Sequence, residues 1–221
     1  MPRLVVPGHG FDGPDRWPDE FGRTAPLVVE IGFGKDVFLL ERAAACPDRD
    51  HVGVERDPER VKAFLLEAER RALPNVRALP CSAELALGHC FPDGSVAEIH
   101  VYFPDPWPKD RHARNRLVQP WFAREAHRVL AADGVLHLAT DDAPYAAQML
   151  DVVEGSGVFR NLAGDGGAGE SPALGWETKF ERLWRRKGRD IRHMAFSPIP
   201  GGFARLRSAW IGSGARGGTP T

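Results

Sequence analysis

A chain of 221 residues, 43% hydrophobic and 27% charged, has the length and composition of one globular domain able to bury a sizeable core. Its 29 basic and 30 acidic side chains nearly cancel, which excludes a globally basic nucleic-acid binder. Cys46, Cys81 and Cys90 form no C-x-x-C pair, which excludes a disulfide framework and a zinc ribbon.

Charge is nonetheless unevenly spread. Residues 1–100 carry 12 basic and 17 acidic side chains, and the remainder carries 17 and 13. A polyanion is therefore expected on the C-terminal part. No basic-then-apolar leader pattern and no membrane-length apolar run is visible, so a soluble cytoplasmic protein without membrane or metal partners is expected.

In chain order, residues 1–26 read as an irregular N-terminal arm, rich in Gly, Pro, Asp and Trp. Leu27 to Ile31 is a short apolar run that suits a parallel strand buried on both faces, and it ends in the Gly32–Gly34 turn. Val37 to Ala45 has helical spacing. His51 to Glu55 is a second strand, and Asp57-Pro58 supplies an N-cap and a first-turn proline for a helix reaching Arg71. Asn75–Leu79 and Ala97–Phe103 are further strands, Leu117–Leu130 a helix, Asp133-Gly134 a turn and Val135–Ala139 a fifth strand. A helix at Ala143–Val153, a Gly-rich loop at Ala163–Gly175, a basic helix at Thr178–Lys187 and a late strand at Asp190–Phe196 follow. Residues 212–221 read as a disordered tail, which leaves 27–211 as the folded domain.

Alternating β and α units imply an α/β fold with a doubly wound, mostly parallel sheet. Ligands then bind at the carboxyl ends of the strands. Glu30-Ile-Gly32-Phe-Gly34 allows close backbone approach to a ligand, and Glu55 ends the next strand where a carboxylate can accept ribose hydroxyls. Position 37 is Val where a dinucleotide fingerprint needs a third glycine, which argues against a nicotinamide cofactor. Phe103-Pro-Asp105-Pro-Trp107-Pro108 stiffens a carboxylate and an aromatic ring at the ligand edge, suiting a base held flat. Lys109, Arg111, Arg114 and Arg116 follow at once as a phosphate strip. A second run, Arg182, Arg185, Arg186, Lys187, Arg189 and Arg192, extends the cationic track.

The combination of Glu-Ile-Gly-x-Gly-Lys, Phe-Pro-Asp-Pro-Trp-Pro-Lys-x-Arg-His, Ala-Thr-Asp and Thr-Lys-Phe-Glu resembles the bacterial tRNA (guanine-N7-)-methyltransferases over roughly Leu27 to Phe196. That resemblance implies a Rossmann-like methyltransferase fold with an antiparallel last strand. It also implies methyl transfer from S-adenosylmethionine to guanine N7 of tRNA, in the variable loop; whether the protein is a monomer or homodimer stays open. Glu30, Gly32, Gly34, Glu55, Ser82 and Asp105 would then bind the cofactor, with Asp105 also the catalytic carboxylate. Lys109, Arg111, Arg114, Arg116, Asp141, Thr178, Lys179, Phe180 and Glu181 would bind RNA.

Three positions depart from the family's usual pattern. Asp36 stands where glycine is common, Ser82 where aspartate is, and Trp176-Glu177 where Arg-Pro is. They bear on cofactor affinity more than on the reaction. Two rival readings stay open: a non-catalytic RNA-binding relic, and a methyltransferase of the same fold for a small molecule or protein.

Overall fold

The computed structural model describes residues 2–5, 17–169 and 177–202; the expected tail at 212–221, the end of the Gly-rich loop and Trp176 lie outside them. In chain order the elements are β1 (Arg3–Leu4), α1 (Trp17–Phe21), β2 (Leu27–Ile31), α2 (Phe38–Ala45), β3 (Asp50–Val54), α3 (Pro58–Arg70), β4 (Val76–Leu79) and α4 (Ala83–His89). There follow β5 (Val96–Tyr102), a 3-10 turn (Asp110–Asn115), α5 (Pro120–Val129), β6 (Leu130–Thr140), α6 (Ala143–Gly155), β7 (Phe159–Asn161), α7 (Lys179–Arg186) and β8 (Arg192–Pro198).

The strands form one sheet in the order β1-β4-β3-β2-β5-β6-β8-β7. All pairs are parallel except those of β8, which runs antiparallel to β6 and β7. The doubly wound sheet and its antiparallel last strand are as expected. Strands β2 and β3 are buried at every position, which explains their mostly apolar character; Glu30, Asp50 and His51 are the polar exceptions. Residues of α2 and α3 pack with Val28, Val76 and Ala78 on one face. Residues of α4, α5 and α6 pack with Val29, Ile99 and Leu136 on the other.

Chain order reverses between β2 and β5, so the switch point lies where Gly32 and Phe103 leave the sheet. This crevice is where such folds bind ligands. Within the expected arm, β1 pairs with β4, and Trp17 of α1 stacks on Phe91 at 5.4 Å and donates its indole N–H to the Cys90 carbonyl.

Two local readings change. Asp133-Gly134 is not a turn between elements: it lies inside β6, which starts at Leu130 and shifts register opposite Val96–Glu98. Gly134 is required there by close packing, since a Cβ would meet the Ala131 carbonyl at 2.9 Å and the Val96 carbonyl at 3.0 Å. The fifth helix begins at Pro120, three residues later than expected, because Leu117–Gln119 lead into it with Pro at N1.

Candidate active site

The switch point opens into a cleft of about 1100 Å³. Its wall contains Glu30, Gly32, Gly34, Asp36, Glu55, Ser82, Asp105, Trp107, Arg114, Arg116, Asp141, Thr178, Phe180, Trp184 and Arg189. Expected residues from five strand ends and from α7 thus share one space. Lys109, Arg111, Lys179 and Glu181 are not part of this wall.

Gly32 and Gly34 both take positive φ, 76° and 57°, which a side chain would strain. Phe33 between them is turned inward onto Phe64, ring centroids 4.3 Å apart. That aromatic pair lies over Gly53, where a Cβ would meet Phe33 Cδ1 at 2.7 Å. The backbone N–H groups of Gly34 and Asp57 donate to the two oxygens of Glu55, at 3.1 and 3.0 Å, fixing that carboxylate at the strand end. Arg60 lies 3.6 Å from it.

Glu30 is only 3% exposed, and its Oε2 has no partner among the described residues. Burial, reinforced by the charge of Asp36, pushes its carboxyl well above the usual carboxylate range, against a hydrogen bond from the Leu39 backbone. A buried, unsatisfied carboxylate oxygen facing a cleft is costly unless a ligand uses it.

Asp36 joins the turn after β2 to the start of α7. Its Oδ1 accepts from the backbone N–H groups of Val37 (2.7 Å) and Phe38 (3.0 Å), opening α2. Its Oδ2 accepts from Lys179 (2.8 Å) and Phe180 (3.4 Å), opening α7. One carboxylate therefore caps two helices whose positive ends converge on it.

Ser82 is exposed and caps α4, its Oγ accepting from Leu85 N–H at 3.3 Å. A serine hydroxyl in that role keeps its own proton to donate.

Asp105 is exposed on the loop after β5. Phe103 and Trp107, which bracket the Pro104-Asp105-Pro106 segment, both take positive φ, 50° and 44°. Non-glycine residues hold such angles only where surroundings over-determine them. The brace is visible: Phe103 N–H donates to the Ala139 carbonyl at 2.8 Å, and Arg116 Nε donates to the Pro106 carbonyl at 2.7 Å. Arg116 also donates to Gln148 and lies over the Tyr145 ring at 5.1 Å. Of the expected phosphate strip, Lys109, Arg111 and Arg114 are exposed, whereas Arg116 is half-buried and committed to holding the loop.

The Thr178–Glu181 segment divides in the same way. Thr178 is buried and caps α7 through Oγ1, which accepts from Glu181 N–H at 3.0 Å. Glu181 is 1% exposed; its Oε1 accepts from Arg185 at 2.9 Å and is hydrogen-bonded to His193 Nε2 at 2.9 Å. Lys179 and Phe180 are exposed, and Phe180 faces Phe103 at 6.4 Å between ring centroids. Asp141 is paired with Arg189, whose guanidinium lies 4.2 Å over the Trp184 ring. Asp36 as a clamp and Trp184 as a cleft wall were missed by sequence reasoning. A carboxylate one residue before a helix was the available signal for the first; an aromatic on a basic helix was the only one for the second.

Beneath the cleft, Glu98, His100 and His137 have potential ligand atoms within 4.8 Å of one another. Glu98 already accepts from Arg42 (2.8 Å) and Arg49 (2.6 Å). The imidazoles of His100 and His137 stack 4.7 Å apart and 5° from parallel, so their in-plane lone pairs run side by side and do not converge on one ion. Burial lowers His137 to about 3, leaving a neutral packing layer.

A family model described as "Putative methyltransferase" matches residues 24–194. The tRNA (guanine-N(7)-)-methyltransferase of Alkalilimnicola ehrlichii is 47% identical over 199 residues, covering 85% of this chain and 81% of that protein. The protein of the same name from Methylococcus capsulatus is 45% identical over 176 residues, covering 80% and 76%. The crystal structure of the 16S rRNA (adenine(1408)-N(1))-methyltransferase from Catenulisporales acidiphilia superposes with a TM-score of 0.55 at 15% identity, covering 84% and 93%. Among the described residues, no helix is long and apolar enough to cross a membrane.

Proposed function

This chain belongs to the tRNA (guanine-N7-)-methyltransferase family, and from that membership we propose how its cleft methylates guanine N7 in tRNA. The observation that carries the reading is the convergence of Glu30, Glu55, Asp105 and Asp141 on one cleft at the sheet's switch point.

S-adenosylmethionine supplies a methyl group on a sulfonium, which leaves as a neutral thioether when the methyl is lost. The cofactor side suits that molecule. Glu55 retains lone pairs for two ribose hydroxyls after accepting two backbone N–H groups. Glu30 offers a buried oxygen without a partner among the described residues, which a cationic ligand would satisfy. An added Cβ at Gly32 would meet nothing within 4 Å, so the backbone there is open to close approach. Ser82 can donate its hydroxyl proton to a ring nitrogen while capping α4.

Guanine N7 carries an in-plane lone pair and no proton, so no residue has to act as a base. The protein's work is alignment and charge stabilisation. Asp105, on a loop braced by Arg116, accepts hydrogen bonds from the guanine edge and sits near the positive charge that develops on the purine. Asp141 steadies the same base. Lys109, Arg111 and Arg114 track phosphates, with Lys179 and Phe180 at the head of α7. Thr178 and Glu181 act one step back, by building the helix that presents those two. A base stacked in folded tRNA reaches this cleft only by extrusion, which costs a few kcal/mol that stacking and phosphate contacts offset. We take 27–211 as the catalytic unit and 1–26 as an arm, of which β1 lies at the sheet edge.

Replacing Asp105 with Ala should reduce kcat by about 100-fold or more, as loss of a preorganised charge-stabilising group does, with little change in thermal midpoint. Turnover near that of the unmodified protein would remove Asp105 from the reaction.

A further inference from the structure

Arg189 reaches back from the end of α7 into the cleft wall. Its Nη1 donates to Asp141 Oδ2, and its guanidinium carbon lies 4.2 Å above the Trp184 ring centroid. Its backbone N–H donates to the Trp184 carbonyl at 3.0 Å, so the stack is part of the helix terminus. Lys187 Nζ also lies over the Trp184 ring, at 4.5 Å, but Lys187 is not in the cleft wall, whereas Arg189, Trp184 and Asp141 all are.

The chemistry of this trio is specific. A guanidinium is a flat, delocalised array of N–H donors, here donating to a carboxylate and set over an indole ring. The Watson–Crick edge of guanine is the nearest nucleobase equivalent: a flat ring bearing N1–H and an exocyclic amino group in a row. Adenine, cytosine and uracil lack that donor pair. Such an edge carries three hydrogens, enough for Asp141 and Asp105 to share.

We propose that Asp141 and Trp184 form the guanine-selecting half of the site, and that Arg189 is an internal surrogate for the base which guanine displaces. This rests on the tRNA guanine methylation reading above and adds Trp184 and Arg189 to it. Arg189 is suited to leaving: its side chain is 53% exposed, and ion pairs so exposed hold weakly. Trp184, with Arg189 withdrawn from its ring, then stacks on the extruded base.

The test uses guanosine and inosine as competitors of tRNA methylation by the full-length protein. Inosine keeps N1–H but lacks the exocyclic amino group. Guanosine should compete with tRNA, and inosine more weakly. In Arg189→Ala, guanosine should inhibit at a concentration about threefold or more lower, because a surrogate that occupies the site reduces apparent affinity by the fraction of sites left open. Trp184→Ala should weaken guanosine inhibition about tenfold, a single stacking contact, while Trp184→Phe keeps it within about threefold. Unchanged or weaker guanosine inhibition in Arg189→Ala, unchanged inhibition in Trp184→Ala, or no competition at all would overturn the proposal. Formation of 7-methylguanosine by the unmodified protein is scored separately. Its presence with any of those results defeats only this inference; its absence defeats the functional reading and this inference with it.

Discussion

The Asp36 carboxylate accepts the backbone N–H of Lys179 at 2.8 Å, tying the turn after β2 to the start of α7 across 143 positions of sequence. The same carboxylate caps α2. The glycine turn of the cleft and a helix in its wall therefore share one anchor. Losing a helix cap costs about 1 kcal/mol, so Asp36→Ala should lower unfolding free energy by about 1–2 kcal/mol in urea titration. It should also raise KM for tRNA, because Lys179 and Phe180 lose their fixed position. A variant with unchanged stability and unchanged KM would contradict the clamp.

Glu30 yields a prediction about pH. Its carboxyl is raised in the folded state, chiefly by burial and then by Asp36, so the native protein binds this proton more tightly than the unfolded chain does. Below the ordinary value of 4.5 both states are protonated and the residue makes no difference. As pH rises above 4.5 the unfolded chain ionises first, and cofactor-free stability falls. Glu30→Gln should remove that decline, making the cofactor-free protein more stable at pH 7 while binding S-adenosylmethionine less tightly. Denaturant titrations at pH 5 and pH 8, paired with calorimetric binding, measure both; equal pH slopes in the two proteins would count against it.

Gly53 is held small by Phe33 and Phe64. Gly53→Ala should cost about 1–3 kcal/mol of stability, as overpacked cores do. Because Phe33 sits between Gly32 and Gly34, the displaced ring should also weaken cofactor binding. A tolerated substitution with unchanged affinity would mean that the ring relaxes without moving the loop.

Arg116 and its neighbours should separate in a salt titration. Removing Lys109, Arg111 or Arg114 should each reduce the slope of log affinity for tRNA against log salt by about one at most. Arg116→Ala should leave that slope nearly unchanged and lower kcat instead, since its contacts are the Pro106 carbonyl and Gln148. The reverse pattern would make Arg116 a phosphate ligand.

These contrasts show what was legible in the sequence. Strand β2 was readable to the residue because burial on both faces demands a nearly continuous apolar run, which Glu30 alone interrupts, and α3 because Asp57 and Pro58 mark its start in adjacent positions. Helix α4 was not placed: it is seven residues long, and its cap, Ser82, was read only as a cofactor position. That the strand ends share one cleft was legible, because the alternation of strands and helices brings those ends together. The division of labour among them was not. Whether Arg116 meets a phosphate or a Pro106 carbonyl, and whether Glu181 faces RNA or His193, depends on side-chain direction and distant partners. Asp36 was noticed as an unusual residue; its partners at Lys179 and Phe180 lie too far along the chain for spacing to reveal them.

The most direct measurement is incubation of the protein with methyl-labelled S-adenosylmethionine and unmodified bulk tRNA, followed by digestion and nucleoside analysis. Label in 7-methylguanosine, lost in Asp105→Ala, is the predicted result, and fragment mapping then locates the guanine. Label in any other nucleoside, or none while tRNA still binds, would contradict the account and leave an RNA-binding protein that has lost its reaction.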